Sequence, residues 1–228
     1  MDDPHSPPVI VTIRGSSRRM HILALSDGRE FVFSDEACER AGIVAGDAAT
    51  PEVLAALDVA EQRVKAHEAA LRLLAHRARS ERELRTRLGM RGIEPAAIDD
   101  EIVRLRAAGL LNDERFAEAW VEDRQRFAPR GRRMLRYELL GRGIEPSTVD
   151  SATGEVDDAE IARELAMNKA KRPSTETYEE FLARVGGFLR RRGFDYAIAG
   201  KAARDAWIEA GRGAEPEIGS PLDHSDEA

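Results

Sequence analysis

The chain has 228 residues, of which 42% are hydrophobic and 34% are charged, and its formal net charge is −7. This composition is too charged for a membrane protein, and no run approaches the ~20 consecutive apolar residues that span a bilayer. The first residues, MDDPHSPP, contain neither a basic nor an apolar targeting segment. The sequence therefore predicts a soluble protein that stays in the cytoplasm.

The charge is unevenly distributed along the chain. Residues 69–143 contain 17 arginines, no lysine and 12 acidic residues, a net charge of +5, so the remainder of the −7 chain carries −12. The acidic total by itself argues against a nucleic-acid partner, because binding to phosphate needs a local positive field. The basic middle of the chain supplies such a field.

The N-terminal region, residues 1–50, reads as β-structure followed by a short helix. Short runs rich in Val, Ile, Leu and Phe lie between residues 9 and 34, with Ser-Asp-Gly-Arg at 26–29 as a hairpin turn, and predict a three-stranded sheet. Ser34 is suited to cap a helix that runs through Arg40 and ends at Gly42.

From Pro51 onward the sequence predicts helix almost throughout. Thr50 and Pro51 form a helix start, and the Ser80–Glu83 capping box starts another helix that runs to about Met90. A third starts at Pro95 and runs to Ala108. We expect Asp113 to cap the next helix, and residues 129–131, Pro-Arg-Gly, to separate it from a helix that ends near Leu140.

The pentapeptide RGIEP occurs at 91–95 and again at 142–146, and a weaker copy, RGFDY, follows at 192–196. The copies are 51 and 50 residues apart. Apolar pairs spaced i, i+4 keep the same offset on the helix before each copy, at Leu84/Leu88, Leu135/Leu139 and Val185/Leu189. The period indicates three tandem three-helix units.

The predicted fold class is mainly α, with tandem three-helix repeats in an elongated, curved array and a small N-terminal β-hairpin or sheet region. Units of about 50 residues bury little surface alone, so neighbouring units should share apolar surface. The predicted segments are the N-terminal region 1–50, repeat 1 at 51–112, repeat 2 at 113–156, repeat 3 at 157–211 and a disordered acidic tail at 212–228.

The repeated pentapeptide is interpreted as a joint between helices. Glycine follows the last helical turn, where a left-handed backbone conformation is needed. The next, apolar residue packs against the end of the helix that has just finished. Proline suits the first position of the following helix. Glu94 should occupy the capping position, where Asp is the better cap, as at Asp195. Arg91, Arg142 and Arg192 are the first residues of the three copies. Two interpretations of them stand side by side: their positive charge stabilises the C-terminal end of the preceding helix, or it binds a partner.

The densest functional signal is a group of arginines around the helix break, interleaved with Phe127 and Tyr137. Guanidinium groups bind carboxylates and phosphates in a bidentate fork, so this group predicts an anion-binding surface; neutralisation by Glu122 and Asp123 on a solvated face is the alternative. The candidate partner- or DNA-binding residues are Arg124, Arg126, Arg130, Arg132, Arg133, Arg136, Arg91 and Arg142.

Catalysis finds no support in the sequence. The five histidines have no metal-ligand spacing, and neither a phosphate-binding loop nor a nucleophile elbow is present. Cys38 reads as a packing residue, and Trp120 and Trp207 fit helical core positions better than base-stacking positions. We therefore predict a non-enzyme with no catalytic residue, no metal site and no cofactor.

Three ordered motifs together resemble the RecX family of regulators of the RecA recombinase. They are R-x-R-S-x-x-E-L, G-L-L-N-D-x-x-F-A-x-x-W-V-x-x-R and R-G-x-x-x-L-x-x-E-L-x-x-x-G-I, and they cover residues 69–144. Residues 157–211 match the family's third helical unit loosely, and the N-terminal hairpin is similar to an extension found in some members.

The resemblance implies a monomeric, non-enzymatic protein of DNA repair, homologous recombination and the SOS response. Such a protein binds the groove of the RecA filament on DNA and limits filament extension, ATP hydrolysis and strand exchange. The other hypothesis is a helix-turn-helix module that binds single- or double-stranded DNA directly through its arginines. Binding to bare DNA and its salt dependence separate the two.

Overall fold

The computed structural model describes residues 7–16, 19–171 and 175–212. The chain divides into two compact units, residues 1–112 and residues 113–228. The predicted disordered tail, apart from Arg212, lies outside the described residues. Within them, ten helices and a three-stranded sheet confirm the mainly α fold class.

The N-terminal sheet is an antiparallel meander with the strand order β1–β2–β3. Its strands are β1 (Ile10–Ser16), β2 (Met20–Leu25) and β3 (Glu30–Ser34). Leu23 and Phe33 belong to the buried face, where they contribute to a core that includes Cys38 and Leu57. The predicted three strands and the packing role of Cys38 are confirmed.

Helix α1 (Asp35–Ala41) follows β3 directly, and the Ser34 hydroxyl accepts a hydrogen bond from the Ala37 N–H at 3.2 Å. The Ser34 N–H and hydroxyl both donate to the buried carboxylate of Glu61, at 2.8 and 2.7 Å. Glu61 therefore ties the end of the sheet to helix α2.

The helices after residue 50 follow the predicted order, in groups that match the three repeats. Their bounds are α2 (Pro51–His76), α3 (Glu81–Gly89), α4 (Pro95–Ala107), α5 (Asp113–Phe127), α6 (Arg132–Gly141), α7 (Pro146–Thr153), α8 (Asp158–Ala170), α9 (Tyr178–Arg191) and α10 (Tyr196–Glu209). None of the described helices is long and apolar enough to cross a membrane.

One predicted cap is wrong by a residue. Helix α5 begins at Asp113, so this side chain lies in the first turn rather than at the capping position. Asp113 and Glu114 together place negative charge at the positive end of the helix dipole, which is favourable.

The apolar pairs on α3, α6 and α9 form the centre of each repeat. All six side chains are fully buried: Leu84, Leu88, Leu135, Leu139, Val185 and Leu189. The i, i+4 spacing thus predicted correctly which face of the middle helix packs inward.

The joints between helices have the predicted geometry. Gly92, Gly143 and Gly193 adopt φ values of 74°, 81° and 95°, a left-handed conformation that glycine adopts at little cost. At the following capping positions the Glu94 and Glu145 side chains accept no capping hydrogen bond, whereas the Asp195 side chain accepts one from the Ile198 N–H at 2.8 Å.

The third joint packs against the start of α6, so two repeats of the second unit are directly connected. The Gly131 N–H donates to the Arg192 carbonyl at 2.9 Å, and the Arg192 guanidinium donates to the Pro129 carbonyl at 2.9 Å. The Pro-Arg-Gly break predicted from the sequence therefore serves a packing purpose as well as ending α5.

Candidate partner-binding surface

The arginines singled out in the sequence lie at the end of α5, in the link to α6 and along α6, except Arg91 in the first unit. Their surroundings divide them into two groups. Some guanidinium groups are held by other parts of the chain, and others face solvent with no ion pair among the described residues.

A half-buried carboxylate, Glu138, organises the first group. Its Oε2 accepts a hydrogen bond from Trp120 Nε1 at 2.9 Å and another from Arg124 Nε at 2.8 Å. Arg130 Nε lies 3.8 Å from the other oxygen, beyond hydrogen-bond distance. The Glu138 side chain is only 18% exposed, so its negative charge is largely committed to these neighbours.

Trp120 is the second organising side chain. The guanidinium carbons of Arg124 and Arg142 lie over its ring, 4.1 and 3.8 Å from the centroid. A cation over an indole face is attracted by the ring quadrupole, by about 0.5–2 kcal/mol depending on exposure. Arg142, which follows the end of α6, therefore contacts a side chain of α5. Trp120 itself is only partly buried and lies beside Phe116.

Arg132 and Arg136 are held within the second unit. The Arg132 backbone N–H donates to the Asp158 carboxylate at 2.7 Å, and its guanidinium donates to the carbonyls of Gly154 and Val156 at 2.9 and 2.8 Å. Arg136 forms an ion pair with Asp150 of α7. These contacts connect α6 to the segments that follow it.

Two ionisable groups near the contacts between α6 and the third repeat have displaced pKa values. Burial raises the pKa of the Asp158 carboxyl, more than the hydrogen bond from the Arg132 backbone lowers it. Burial also lowers the pKa of the Arg192 guanidinium, and the nearby charge of Arg130 adds to that effect. The junction between the second and third repeats is therefore partly desolvated.

The second group consists of Arg126, Arg133 and Arg91, all of which are exposed. No ion pair involves them within the described residues. The Arg126 guanidinium lies 5.1 Å from the centroid of the Phe127 ring, and that ring is 71% exposed. Arg91 belongs to the first unit, where it lies in the joint between α3 and α4.

Helix α6 presents an exposed stripe of mixed character. Arg133, Tyr137 and Leu140 follow one another at helical spacing, and Tyr137 is 75% exposed while Leu140 is 40% exposed. Exposed aromatic and arginine side chains are enriched where proteins bind partners. We call Arg126, Phe127, Arg133, Tyr137 and Leu140 the exposed arginine–aromatic surface.

Sequence reasoning did not identify Glu138 or the central position of Trp120. Trp120 and Glu138 are 18 residues apart, and their contact depends on how α5 and α6 pack. The local signal was an acidic residue surrounded by arginines on α6, which is compatible with an ordinary solvated face.

Three family models match the chain in tandem. They are described as the first, second and third three-helix domains of RecX, and they match residues 66–105, 112–152 and 155–202.

Curated relatives named "Regulatory protein RecX" match the same region. The Streptomyces coelicolor relative is 34% identical over 148 residues, which cover 64% of this chain and 79% of the relative. The Chlorobium phaeobacteroides relative is 36% identical over 132 residues, covering 58% and 86%.

Solved structures have the same fold. A crystal structure of regulatory protein RecX superposes with a TM-score of 0.66 at 20% identity, covering 84% of this chain and 96% of that one. RecX from Lactobacillus salivarius gives a TM-score of 0.59 at 24% identity, covering 65% and 99%. At these identities the likeness concerns the fold.

Proposed function

Since the chain belongs to the RecX family, we propose that it regulates the RecA recombinase by binding the RecA–DNA filament. Binding limits filament extension, ATP hydrolysis and strand exchange, and the protein itself catalyses no reaction. The proposed partner is the nucleoprotein filament, and the proposed state of the protein is a cytoplasmic monomer.

The observation that supports this proposal most directly is the exposed arginine–aromatic surface of the second unit. Arg126 and Arg133 face solvent without an ion pair in the described part of the chain, so a partner gains their full hydrogen-bonding capacity. Phe127 and Tyr137 add apolar area beside them. This combination fits a protein surface with acidic groups, or the phosphates that such a filament carries.

The remaining arginines of the predicted site have a supporting role in this proposal. Arg124 and Arg142 hold Trp120, while Arg132 and Arg136 hold the segments after α6. Replacing them would disturb the surface indirectly, so they are poor choices for testing contact with a partner.

The experiment measures RecA ATPase on single-stranded DNA with increasing amounts of the full chain. We expect inhibition well below one molecule per RecA if the protein acts at growing filament ends. The double variant R126A/R133A should raise the concentration for half-inhibition by about tenfold, because two charge-assisted contacts are lost. Its helical circular dichroism should stay unchanged.

R191A is the matched control, since Arg191 is an exposed arginine of the same unit, outside this surface and without an ion pair in the described residues. It should inhibit like the unmodified chain. Equal inhibition by R126A/R133A and R191A would remove the exposed arginine–aromatic surface from the proposal, and no effect of the unmodified chain on RecA would refute the proposal itself.

A direct DNA-binding module is the second candidate, and the same exposed arginines support it. Binding of this kind needs no RecA and weakens steeply with salt, because each phosphate contact releases counterions. Titrating bare single- and double-stranded DNA at low and at moderate salt separates the candidates. An absence of binding at low salt would exclude the direct module.

A further inference from the structure

A groove between α9 and α10 in the third repeat carries two arginines that the proposed function does not use. It has a volume of about 380 Å³, within the range of roughly 300–1,000 Å³ that small-molecule sites occupy. Leu182 and Arg190 line it from α9, and Tyr196 and Arg204 line it from α10; the other described lining residues are alanines and glycines. The described lining therefore contains two positive charges and no negative charge.

The two guanidinium groups lie over the same part of α10. The Arg190 guanidinium carbon is 5.5 Å from the centroid of the Tyr196 ring. Arg204 leans back over Gly200, where its Nη1 is 3.3 Å from the position that a Cβ would take. Since Tyr196 and Gly200 are one helical turn apart, about 5.4 Å along the axis, one small ligand can reach both charges.

Both arginines lack a partner among the described residues. Neither forms an ion pair or a hydrogen bond there, whereas Arg163, Arg184 and Arg212 of the same repeat each pair with a carboxylate. A guanidinium group binds the oxygens of a phosphate or carboxylate in a bidentate fork. The pair is therefore suited to a ligand that carries more than one negative charge in a small volume.

Tyr196 adds an aromatic surface to the groove. Its side chain is 78% exposed, so one face of the ring is open to a flat partner. Gly186, on the α9 side, has no atom within 4 Å of the position of a Cβ, so the groove is unfilled there. Stacking of a nucleobase on an exposed aromatic ring is favourable for every base. The lining thus fits a ligand that joins a flat ring to a concentrated negative charge.

The surroundings of the groove favour a free nucleotide over a nucleic-acid strand. One turn beyond Arg204 on α10 is Ile208, which is 49% exposed, and one turn before Ala183 on α9 is the exposed Glu179. A strand that left the groove past Arg204 would meet an apolar and an acidic residue. Its diesters also carry only about one negative charge each, whereas a terminal phosphate carries about two.

We propose that the α9–α10 groove binds a nucleoside diphosphate, with the base stacked on Tyr196 and the diphosphate paired with Arg190 and Arg204. Gly200 is required for this arrangement because a side chain at this position would meet the Arg204 guanidinium. The site is a property of the third repeat alone and does not depend on the proposed function.

The test titrates ADP into the ¹⁵N-labelled full chain at about 0.05 M salt, without divalent cations. We expect saturable shifts of the Gly186 and Gly200 amide resonances. Adenosine lacks the phosphates and pyrophosphate lacks the base, so each should bind at least about tenfold more weakly than ADP. Raising the salt to about 1 M should weaken the binding of ADP, because the charges are screened.

Four variants assign the contacts. R190A/R204A should raise the Kd for ADP at least about tenfold, because both charge-assisted contacts are lost. Y196A should raise it about tenfold, and Y196F, which keeps the ring, should leave it unchanged. R191A is the matched control: Arg191 Nη1 leans over Gly187 at 3.4 Å from its Cβ position, as Arg204 does over Gly200, but neither residue lines the groove.

The absence of saturable shifts with ADP would overturn the proposal. So would equal affinities for pyrophosphate and ADP, or equal effects of R191A and R190A/R204A. A single-stranded oligonucleotide that shifts the two glycines and is not displaced by ADP would assign the groove to nucleic acid, which also overturns the proposal. Circular dichroism checks that the arginine variants fold, and the comparison of Y196A with Y196F tests the stacking independently of them.

Discussion

The backbone of Gly131 lies directly against the backbone of Gly193, so that a Cβ on Gly131 would come within 2.8 Å of the Gly193 carbonyl carbon and oxygen. The conformation of Gly131 itself is ordinary, with φ −71° and ψ 157°. Glycine is required here by space rather than by backbone torsion, because the obstructing atoms are main-chain atoms that cannot rotate away.

Replacing Gly131 by alanine should therefore lower the free energy of unfolding by about 1–3 kcal/mol, the usual cost of forcing an extra methyl group into a packed site. Gly141→Ala on the same helix is the control, since its Cβ would meet nothing within 4 Å; it should stabilise by about 0.5–1 kcal/mol through helix propensity. Urea denaturation measures both. Equal effects of the two changes would contradict the close contact.

The capping positions at the joints between helices lead us to expect opposite stability changes from two substitutions. Glu145→Asp should stabilise by about 0.5–1 kcal/mol, because the shorter carboxylate can accept from the first turn of α7, as Asp195 does from Ile198 in α10. Asp195→Glu should destabilise by a similar amount. Thermal unfolding of both variants checks the sign, and a change in the same direction for both would contradict the explanation.

Neighbouring arginines of α6 should behave differently. Arg132→Ala removes hydrogen bonds to the Gly154 and Val156 carbonyls and should cost about 1–3 kcal/mol. Arg133→Ala removes an exposed side chain without an ion pair in the described residues and should change stability by less than about 0.5 kcal/mol. Urea denaturation of the two variants side by side is the measurement. A smaller loss for Arg132→Ala than for Arg133→Ala would refute the division of the arginines into two groups.

The pKa of Asp158 predicts a pH-dependent effect. Burial raises it above the ordinary value of 3.8, so the folded protein holds this proton more tightly than the unfolded chain. Below pH 3.8 the carboxyl is protonated in both states and costs nothing; as pH rises through the raised pKa, ionisation penalises the folded state.

Asp158→Asn removes that ionisation and keeps an oxygen that accepts from the Arg132 N–H. The stability of the variant relative to the unmodified chain should therefore increase as pH rises from about 3.8 and then level off. Urea denaturation at a series of pH values measures this difference. A constant difference, or one that shrinks with rising pH, would contradict the assignment.

The fold could be predicted largely from short-range information. The joint glycines, the prolines at helix starts and the buried pairs such as Leu135 and Leu139 act within one or two helical turns, so a local pattern records them. The period of about 50 residues then fixed the number of repeats. The start of α5 was misplaced by one residue because Asn112 and Asp113 both suit a helix N-terminus.

The sequence located the group of arginines but could not separate those held by other parts of the chain from those that face solvent. Arg132 and Arg133 look alike in the sequence, yet the first reaches carbonyls 22 and 24 residues away and the second reaches solvent. Such contacts depend on where α6 lies relative to the segment before α8, which no local pattern encodes. The binding role of these arginines stays a prediction.

The contact of Arg124 and Arg142 with Trp120 gives the protein an internal optical label. The chain has two tryptophans, and Trp207 is 8% exposed in the core of the third repeat, where its emission should be insensitive to surface events. Trp120 is partly exposed, and the guanidinium groups of Arg124 and Arg142 lie over its ring in the unit that carries the exposed arginine–aromatic surface. With Trp207 changed to Phe, the fluorescence of the remaining indole would report filament binding in real time, without any attached dye.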